Sequence, residues 1–241
     1  MNDIFTTDGA LSLTRLSAVI SDDSFRLFRE NMAQLRRLMT YYRCAMMEVE
    51  TKFKVLNEQF SLENDQNRIE SIRTRIKSMD SIIGKLRRRE LPLSVDSIEE
   101  NLNDVAGVRV ICPFVDDIYV LVECLLRQDD VELVQIKDYI KHPKENGYRS
   151  LHLIITIPIF LQDETRRMKV EVQLRTIAMD FWASLEHQMR YKKDIPDCIT
   201  QKLFRDLGEC ADISAMLDQR MQDIKNSLDK SETRQAYNVH K

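Results

Sequence analysis

The fold turns on the stretch N-L-N-D-V-A-G-V-R-V-I-C, residues 101–112. From Gly107 the run is short, rich in β-branched residues and closed by Pro113, which is the signature of a strand rather than a helical turn. Working outward, Val131–Tyr139, Leu151–Ile157 and Met168–Leu174 have the same character. A helix around Asp116–Arg127 separates the first two of these strands. Thr176–Tyr191 returns to helix, with Met179, Trp182, Ala183 and Leu185 suited to packing on a sheet.

Long helices are expected on both sides of this core. Phe28, Met32, Leu35, Met39, Tyr42, Met46, Val49 and Phe53 recur at helical spacing within an N-terminal extension, residues 22–64, after a weakly ordered leader, residues 1–21. A polar break at Ser61–Gln66 precedes a second, basic helix expected over roughly 67–90, ended by Pro92. Residues 196–241 carry another stripe: Leu203, Leu207, Cys210, Ile213, Leu217, Met221, Ile224 and Leu228. The sequence therefore predicts an α+β protein, with a small mixed sheet within 65–195 flanked by long terminal helices. Those helices carry more apolar surface than a small sheet needs, so self-association is the expected use; the plainer alternative is that they cover the sheet.

Composition excludes several classes. Charged residues make up 31% and hydrophobic residues 43% of the 241, and the net charge of -3 gives no overall pull toward polyanions. Any phosphate site must come from local clustering of Lys and Arg. No apolar run reaches the length of a membrane span, and the first 20 residues lack a secretory pattern. The five cysteines are scattered and odd in number, which suits reduced thiols in a cytoplasmic protein better than a disulfide framework or a zinc site.

Four segments carry chemistry. In R-I-K-S-M-D-S-I-I-G-K-L-R-R-R, residues 75–89, helical spacing puts Lys77, Ser81, Lys85 and Arg88 in one arc opposite Ile76, Met79, Ile82, Ile83 and Leu86. A row of cations with a hydroxyl suits a triphosphate; a solvated basic face is the plain alternative. Arg75 falls outside the arc. Asp104 stands at the entrance of the 107–113 strand, where metal-binding carboxylates and ordinary turn residues both occur, and Arg109 inside that strand needs a partner if buried. The segment K-D-Y-I-K-H-P-K-E-N-G-Y-R-S-L-H, residues 137–152, gathers cations, histidines and tyrosines around H-P and N-G turns. It suits a nucleotide clamp, or an exposed hairpin loop. In V-E-V-Q-L-R, residues 170–175, alternation places Glu171, Gln173 and Arg175 on one face. Glu171 and Asp104 are a plausible pair of magnesium carboxylates. His187 fits a structural histidine better than a catalytic one.

Taken in order, K-x-N-G-Y-R-S-L-H (144–152), E-V-Q-L-R-T (171–176) and W-x-x-x-E-H (182–187) resemble the synthetase domain of the RelA/SpoT family, and the whole chain resembles its stand-alone small alarmone synthetases. The resemblance covers roughly residues 65–195. It implies a nucleotidyltransferase-like fold and a GTP pyrophosphokinase that moves pyrophosphate from ATP to the 3′-hydroxyl of GDP or GTP with Mg²⁺. It implies an ATP site at Arg75, Lys77, Ser81, Lys85, Arg88 and Arg109, with Arg75 and Arg109 enclosing the adenine. Asp104 and Glu171 match the metal carboxylates, and Glu171 matches the catalytic base as well. Tyr148 matches the ring that stacks on guanine, and Lys137, Lys144, His152 and Gln173 match other acceptor contacts. The resemblance further implies a homotetramer, and admits the (p)ppGpp product or single-stranded RNA as an allosteric ligand. The four histidines, 142, 152, 187 and 240, form no His-Asp pair of the kind the family's alarmone hydrolases use, so synthesis without degradation is expected.

Two rival functions differ in signature. A nucleotidyltransferase releasing pyrophosphate usually shows a Gly-Ser turn before D-x-D, and neither occurs here. A non-catalytic RNA-binding module would use the basic segment and aromatic loop but has no need of Asp104 and Glu171, whose charge repels phosphates.

Overall fold

In the computed structural model, which describes residues 22–64, 67–190 and 197–239, the 107–113 segment is the second strand of a five-stranded mixed sheet. The elements are α1 (Asp22–Asn64), β1 (Ser71–Ile76), α2 (Met79–Arg88), α3 (Val95–Asn101), β2 (Ala106–Cys112), α4 (Val115–Leu126), β3 (Glu132–Asp138), β4 (Leu151–Phe160), β5 (Thr165–Thr176), α5 (Ile177–Arg190) and α6 (Asp197–Val239). The strands lie in the order β1-β2-β5-β4-β3. All neighbours are antiparallel except β2 and β5, whose parallel pairing at the centre makes the sheet mixed. The expected α+β architecture is present, with β4 and β5 extending beyond their expected ends. The leader, residues 1–21, and the boundary near 195–196 lie outside the described residues.

One expected element is wrong. Residues 67–90 do not form a single helix: Ser71–Ile76 is an edge strand paired with β2, and the helix begins only at Met79. S-I-R-T-R-I alternates, and period 2 over six residues is easily absorbed into a helical wheel. The local start signal was Ser78, whose hydroxyl accepts from the Ser81 amide as an N-cap. Arg75, awkward on a helix, belongs to the strand, and Lys77 lies in the link between strand and helix.

The sheet's apolar face holds the core. Val108, Val110, Leu153, Ile155, Val170, Val172 and Leu174 are buried, and α1 covers them with Met39, Tyr42, Ala45, Val49 and Phe53. Full burial of a side chain such as Val49 or Phe53 contributes about 1.5–3 kcal/mol. For α1 the plainer alternative holds: its stripe covers the sheet. The stripe of α6 behaves differently. Leu207 is buried, but Ile213, Met216, Leu217, Met221, Ile224 and Leu228 are exposed. Phe28 falls among residues whose side chains are not described.

Polar contacts seat α6 against α5, the end of β5 and the start of α4. Trp182 Nε1 donates to the Leu207 carbonyl, Thr176 Oγ1 donates to Asp218, and the Gln222 side chain accepts from the Asp116 amide at the start of α4. Cys44, Cys112, Cys124 and Cys210 are free, and no described helix is long and apolar enough to cross a membrane.

Candidate active site

One line of register crosses all five strands. Arg73 on β1 is opposite Arg109 on β2, Arg109 opposite Gln173 on β5, Gln173 opposite His152 on β4, and His152 opposite Lys137 on β3. Residues in register share a face of the sheet. Four expected site residues therefore stand in a row on the face that does not hold the core. The next row on that face contains Arg75, Gly107 and Glu171. Gly107 puts no side chain between the other two, and a cleft of about 330 Å³ lies there, lined by Arg73, Arg75, Asp104, Arg109, Glu171 and Gln173 among others.

Asp104 sits at the mouth of β2 as its sequence position suggested. Lys77 Nζ donates to its Oδ2 at 2.7 Å, and Lys85 Nζ lies 2.8 Å from Oδ1. Burial opposes the charge on this carboxyl, but the two lysine ammonium groups prevail and hold it below the usual carboxylate range. The Lys85 contact is an ion pair off the hydrogen-bonding direction, since Oδ1 is buried and makes no hydrogen bond. Lys77 and Lys85, which the sequence placed in one cationic row, meet on this carboxylate although only Lys85 is helical.

Glu171 is tuned the other way. Burial first, and the charge of Asp104 second, raise its carboxyl above the usual range, only partly offset by a hydrogen bond from Gln173 Nε2 at 3.0 Å. The orientation of that amide is fixed from behind. Gln173 Oε1 accepts from Arg109 Nη2 at 3.4 Å and Arg175 Nη2 at 3.3 Å. Arginine only donates, so the amide oxygen faces the arginines and its NH₂ faces Glu171.

The same logic fixes His152. Burial, then the neighbouring Arg175 and Lys144, push its pKa down to about 3, so the ring is neutral near pH 7. The Tyr148 hydroxyl accepts from Arg175 Nη2 at 2.7 Å and stands 2.8 Å from His152 Nε2, with its own proton available for that nitrogen. The other ring nitrogen, Nδ1, lies 3.7 Å from Glu171 Oε1, and a ring proton there faces the carboxylate. That contact is a neutral imidazole near a carboxylate, not an ion pair.

Tyr148 hangs from the loop between β3 and β4. Gly147 turns there at φ +83° and its amide donates to the Lys144 carbonyl at 2.8 Å. The loop is pinned to α6, since Arg149 lies 3.7 Å from Asp212 and a Cβ on Gly147 would stand 2.4 Å from Ala211 Cβ. Lys144 Nζ lies 4.7 Å from the Tyr139 ring centre and 4.9 Å from that of Tyr148. A more open hollow of about 770 Å³ is lined by Lys144, Asn146, Tyr148, Glu186 and Phe204.

Of the expected residues, Ser81 and Arg88 are exposed on α2 and do not line the cleft, and Lys137 is exposed on the edge strand. His187 is exposed on α5 and lines none of these cavities. Sequence reasoning missed Arg73 and Asp180. The buried Asp180 carboxylate receives Arg73 at 3.2 Å, Arg109 at 3.4 Å and Arg175 at 3.0 Å. Burial and the charge of Arg175 hold the Arg109 guanidinium below its ordinary pKa.

A divalent cation suits the donor set. Asp104 offers a buried oxygen with no hydrogen bond, and the mutual repulsion that raises Glu171 is what a shared cation relieves. No cluster of three or more His, Cys, Asp or Glu able to hold a metal occurs among the described residues. Two carboxylates fit Mg²⁺, which takes its remaining ligands from water and phosphate.

An arginine-lined cleft holding two carboxylates, on the open face of a small mixed sheet, has the groups that suit phosphoryl transfer. Residues 74–196 match the family model described as a region found in RelA / SpoT proteins, and the chain belongs to that family. It is 42% identical to the GTP pyrophosphokinase YwaC of Bacillus subtilis over 82% of this chain and 93% of that one. To YjbM, a second GTP pyrophosphokinase of that organism, it is 35% identical over 83% and 92%. The crystal structure of small alarmone synthetase 1 from Bacillus subtilis bound to its product pppGpp superposes with a TM-score of 0.72 at 36% identity, covering 80% of this chain and 97% of that one.

Proposed function

We propose that this chain is a GTP pyrophosphokinase, transferring the β,γ-pyrophosphate of ATP to the 3′-hydroxyl of GDP or GTP and releasing AMP. The observation that carries it is the pairing, in one cleft, of a carboxylate of raised pKa, Glu171, with a second carboxylate gripped by two lysines, Asp104. The 3′-oxygen attacks the β-phosphorus, its proton passes to Glu171, and the bond from the β-phosphorus to the oxygen bridging to the α-phosphate breaks as AMP leaves. A base whose pKa is raised by burial is better matched to a hydroxyl proton than an ordinary carboxylate. Asp104 and Glu171 would hold Mg²⁺, which when bound supplies charge neutralisation on the transferred phosphates.

Arg75 and Arg109, on adjacent strands beside the cleft, are the residues to enclose adenine. Lys77 and Lys85 neutralise Asp104 when no nucleotide is bound and turn to the triphosphate when one is; Ser81 and Arg88 extend that cationic track along α2. On the acceptor side Tyr148 stacks on guanine, and Lys144, now over its ring, moves to the phosphates. Lys137, His152 and Gln173 complete the row.

The test is incubation with Mg²⁺, ATP and GDP followed by nucleotide separation. AMP and a 3′-pyrophosphorylated guanosine are expected. Release of pyrophosphate would point to nucleotidyl transfer, and no turnover would point to a binding module.

The exposed apolar row of α6 supports a homotetramer built through the terminal helices. Light scattering should give four times the chain mass, falling when Ile213 and Leu217 are both changed to Asp; an unchanged mass in that variant would remove α6 from the interface.

Gly147→Ala should weaken acceptor binding selectively. Its Cβ meets both a positive φ and the Ala211 methyl, a cost of roughly 2–4 kcal/mol that the loop relieves by lifting off α6. The expected result is a lowered Tm and a GDP KM raised about tenfold, with the ATP KM little changed. An unaltered GDP KM would show that the loop's seat on α6 does not set Tyr148.

A further inference from the structure

Three guanidiniums from three different strands converge on one side chain that neither substrate is expected to touch. Asp180 lies in the first turn of α5 and is 6% exposed. Its Oδ1 takes Arg175 Nη1 at 3.0 Å and Arg109 Nη1 at 3.4 Å, and its Oδ2 takes Arg73 Nη1 at 3.2 Å. Two of these arginines are engaged elsewhere as well. Arg109 stands in the cleft on the ATP side. Arg175 forks: Nη1 holds Asp180 while Nη2 reaches the Tyr148 hydroxyl at 2.7 Å and Gln173 Oε1 at 3.3 Å.

We propose that Asp180 is a positioning residue for the transfer reaction, a buried anion that fixes Arg109 on the donor side and Arg175 on the acceptor side in one mutual register. This rests on the pyrophosphokinase reading of the cleft and adds to it a residue that ties the two nucleotide sites together.

Three physical points support it. First, Arg109 and Arg175 both donate to Gln173 Oε1, and guanidiniums brought this close repel unless an anion lies between them. Asp180 is that anion. Second, the fork of Arg175 is planar, so a fixed Nη1 fixes where Nη2 points, and with it the Tyr148 hydroxyl. Third, the orientation of the Gln173 amide toward Glu171 depends on those same two arginines. Loss of the Asp180 charge therefore propagates to Arg109, Tyr148 and Glu171 without removing any group expected to touch substrate.

The experiment compares wild type, Asp180→Asn, Arg175→Lys and the double variant. Lysine keeps the charge of Arg175 but cannot bridge Asp180 and Tyr148 at once. Binding of a non-hydrolysable ATP analogue and of GDP, each with Mg²⁺, is measured separately by titration calorimetry, well below the lowest melting temperature of the set. In Asp180→Asn both dissociation constants should rise, each about tenfold. In the Arg175→Lys background the effect of Asp180→Asn on GDP should shrink to within about twofold, because the path to Tyr148 is already cut. A residue that only stabilises the fold would lower Tm and leave both constants in place, which overturns the proposal. Additive losses for GDP in the double variant overturn it too, since Asp180 would then not act through Arg175. Wild-type protein that binds both nucleotides yet transfers no pyrophosphate would defeat the function proposed above while leaving this coupling measurable.

Discussion

Glu171→Gln abolishes pyrophosphate transfer and leaves the protein folded: that is the expected result with the largest effect. Glutamine keeps the side chain's size and can still meet the Gln173 amide, but cannot take a proton. Loss of a general base costs roughly two to four orders of magnitude in rate, and the further role proposed for Glu171, as a Mg²⁺ ligand, puts the expected loss at the upper end. Stability should move in the opposite direction. Burial and Asp104 raise the Glu171 pKa, so the folded state binds this proton more tightly than the unfolded chain does. Above the usual carboxylate range the ionised group therefore costs stability, and a neutral glutamine removes that cost. The Tm of the variant should equal or exceed that of wild type at pH 7. In the wild type, activity should rise with pH through the raised Glu171 pKa. AMP formation and thermal melting check both halves; more than half of wild-type kcat in the variant would remove Glu171 from the base's role.

The middle of the candidate cleft is more legible in the sequence than its edges. Asp104 before a β-branched run, and the alternation of Glu171 with Gln173, are local signals, and the structure puts both carboxylates in one cleft. Of the helix expected over 67–90 only Met79–Arg88 is helical, because the six alternating residues of Ser71–Ile76 also fit a helical wheel; Ser78 marks the boundary. Asp180 was illegible for a different reason. Arg73, Arg109 and Arg175 come together only through the order β1-β2-β5, with a parallel pair at its centre, and no local pattern specifies that order. The seat of Gly147 against Ala211 is equally remote in sequence. N-G announced a turn, but only the packed α6 shows why that turn admits no Cβ.

Asp104→Asn should be nearly as damaging as Glu171→Gln but with the stability change reversed. Asparagine keeps the shape and loses the charge on which Lys77 and Lys85 converge, leaving two largely buried ammonium groups without an anion. Removing the charged acceptor from such pairs costs roughly 1–3 kcal/mol, so this variant should melt below wild type. The pH dependence of the difference follows from the lowered Asp104 pKa. A depressed carboxylate contributes stability above its unfolded pKa, near 3.8, and that contribution fades as pH falls through the lower folded value. The two proteins should therefore differ in Tm at pH 7 and converge in strong acid. Activity should drop by roughly two orders of magnitude or more, with half-maximal rate shifted to higher Mg²⁺, since an amide oxygen is a poor substitute for a carboxylate on a hard cation. The residual activity carries the sharpest signature. Asp104 is one of the two causes holding the Glu171 pKa up, and without it Lys77 and Lys85 are free to favour the Glu171 anion instead. The acid limb of the rate profile should move to lower pH in Asp104→Asn. A limb that stays in place would mean that the two carboxylates do not sense each other, and the shared cation assigned to them would lose its physical basis.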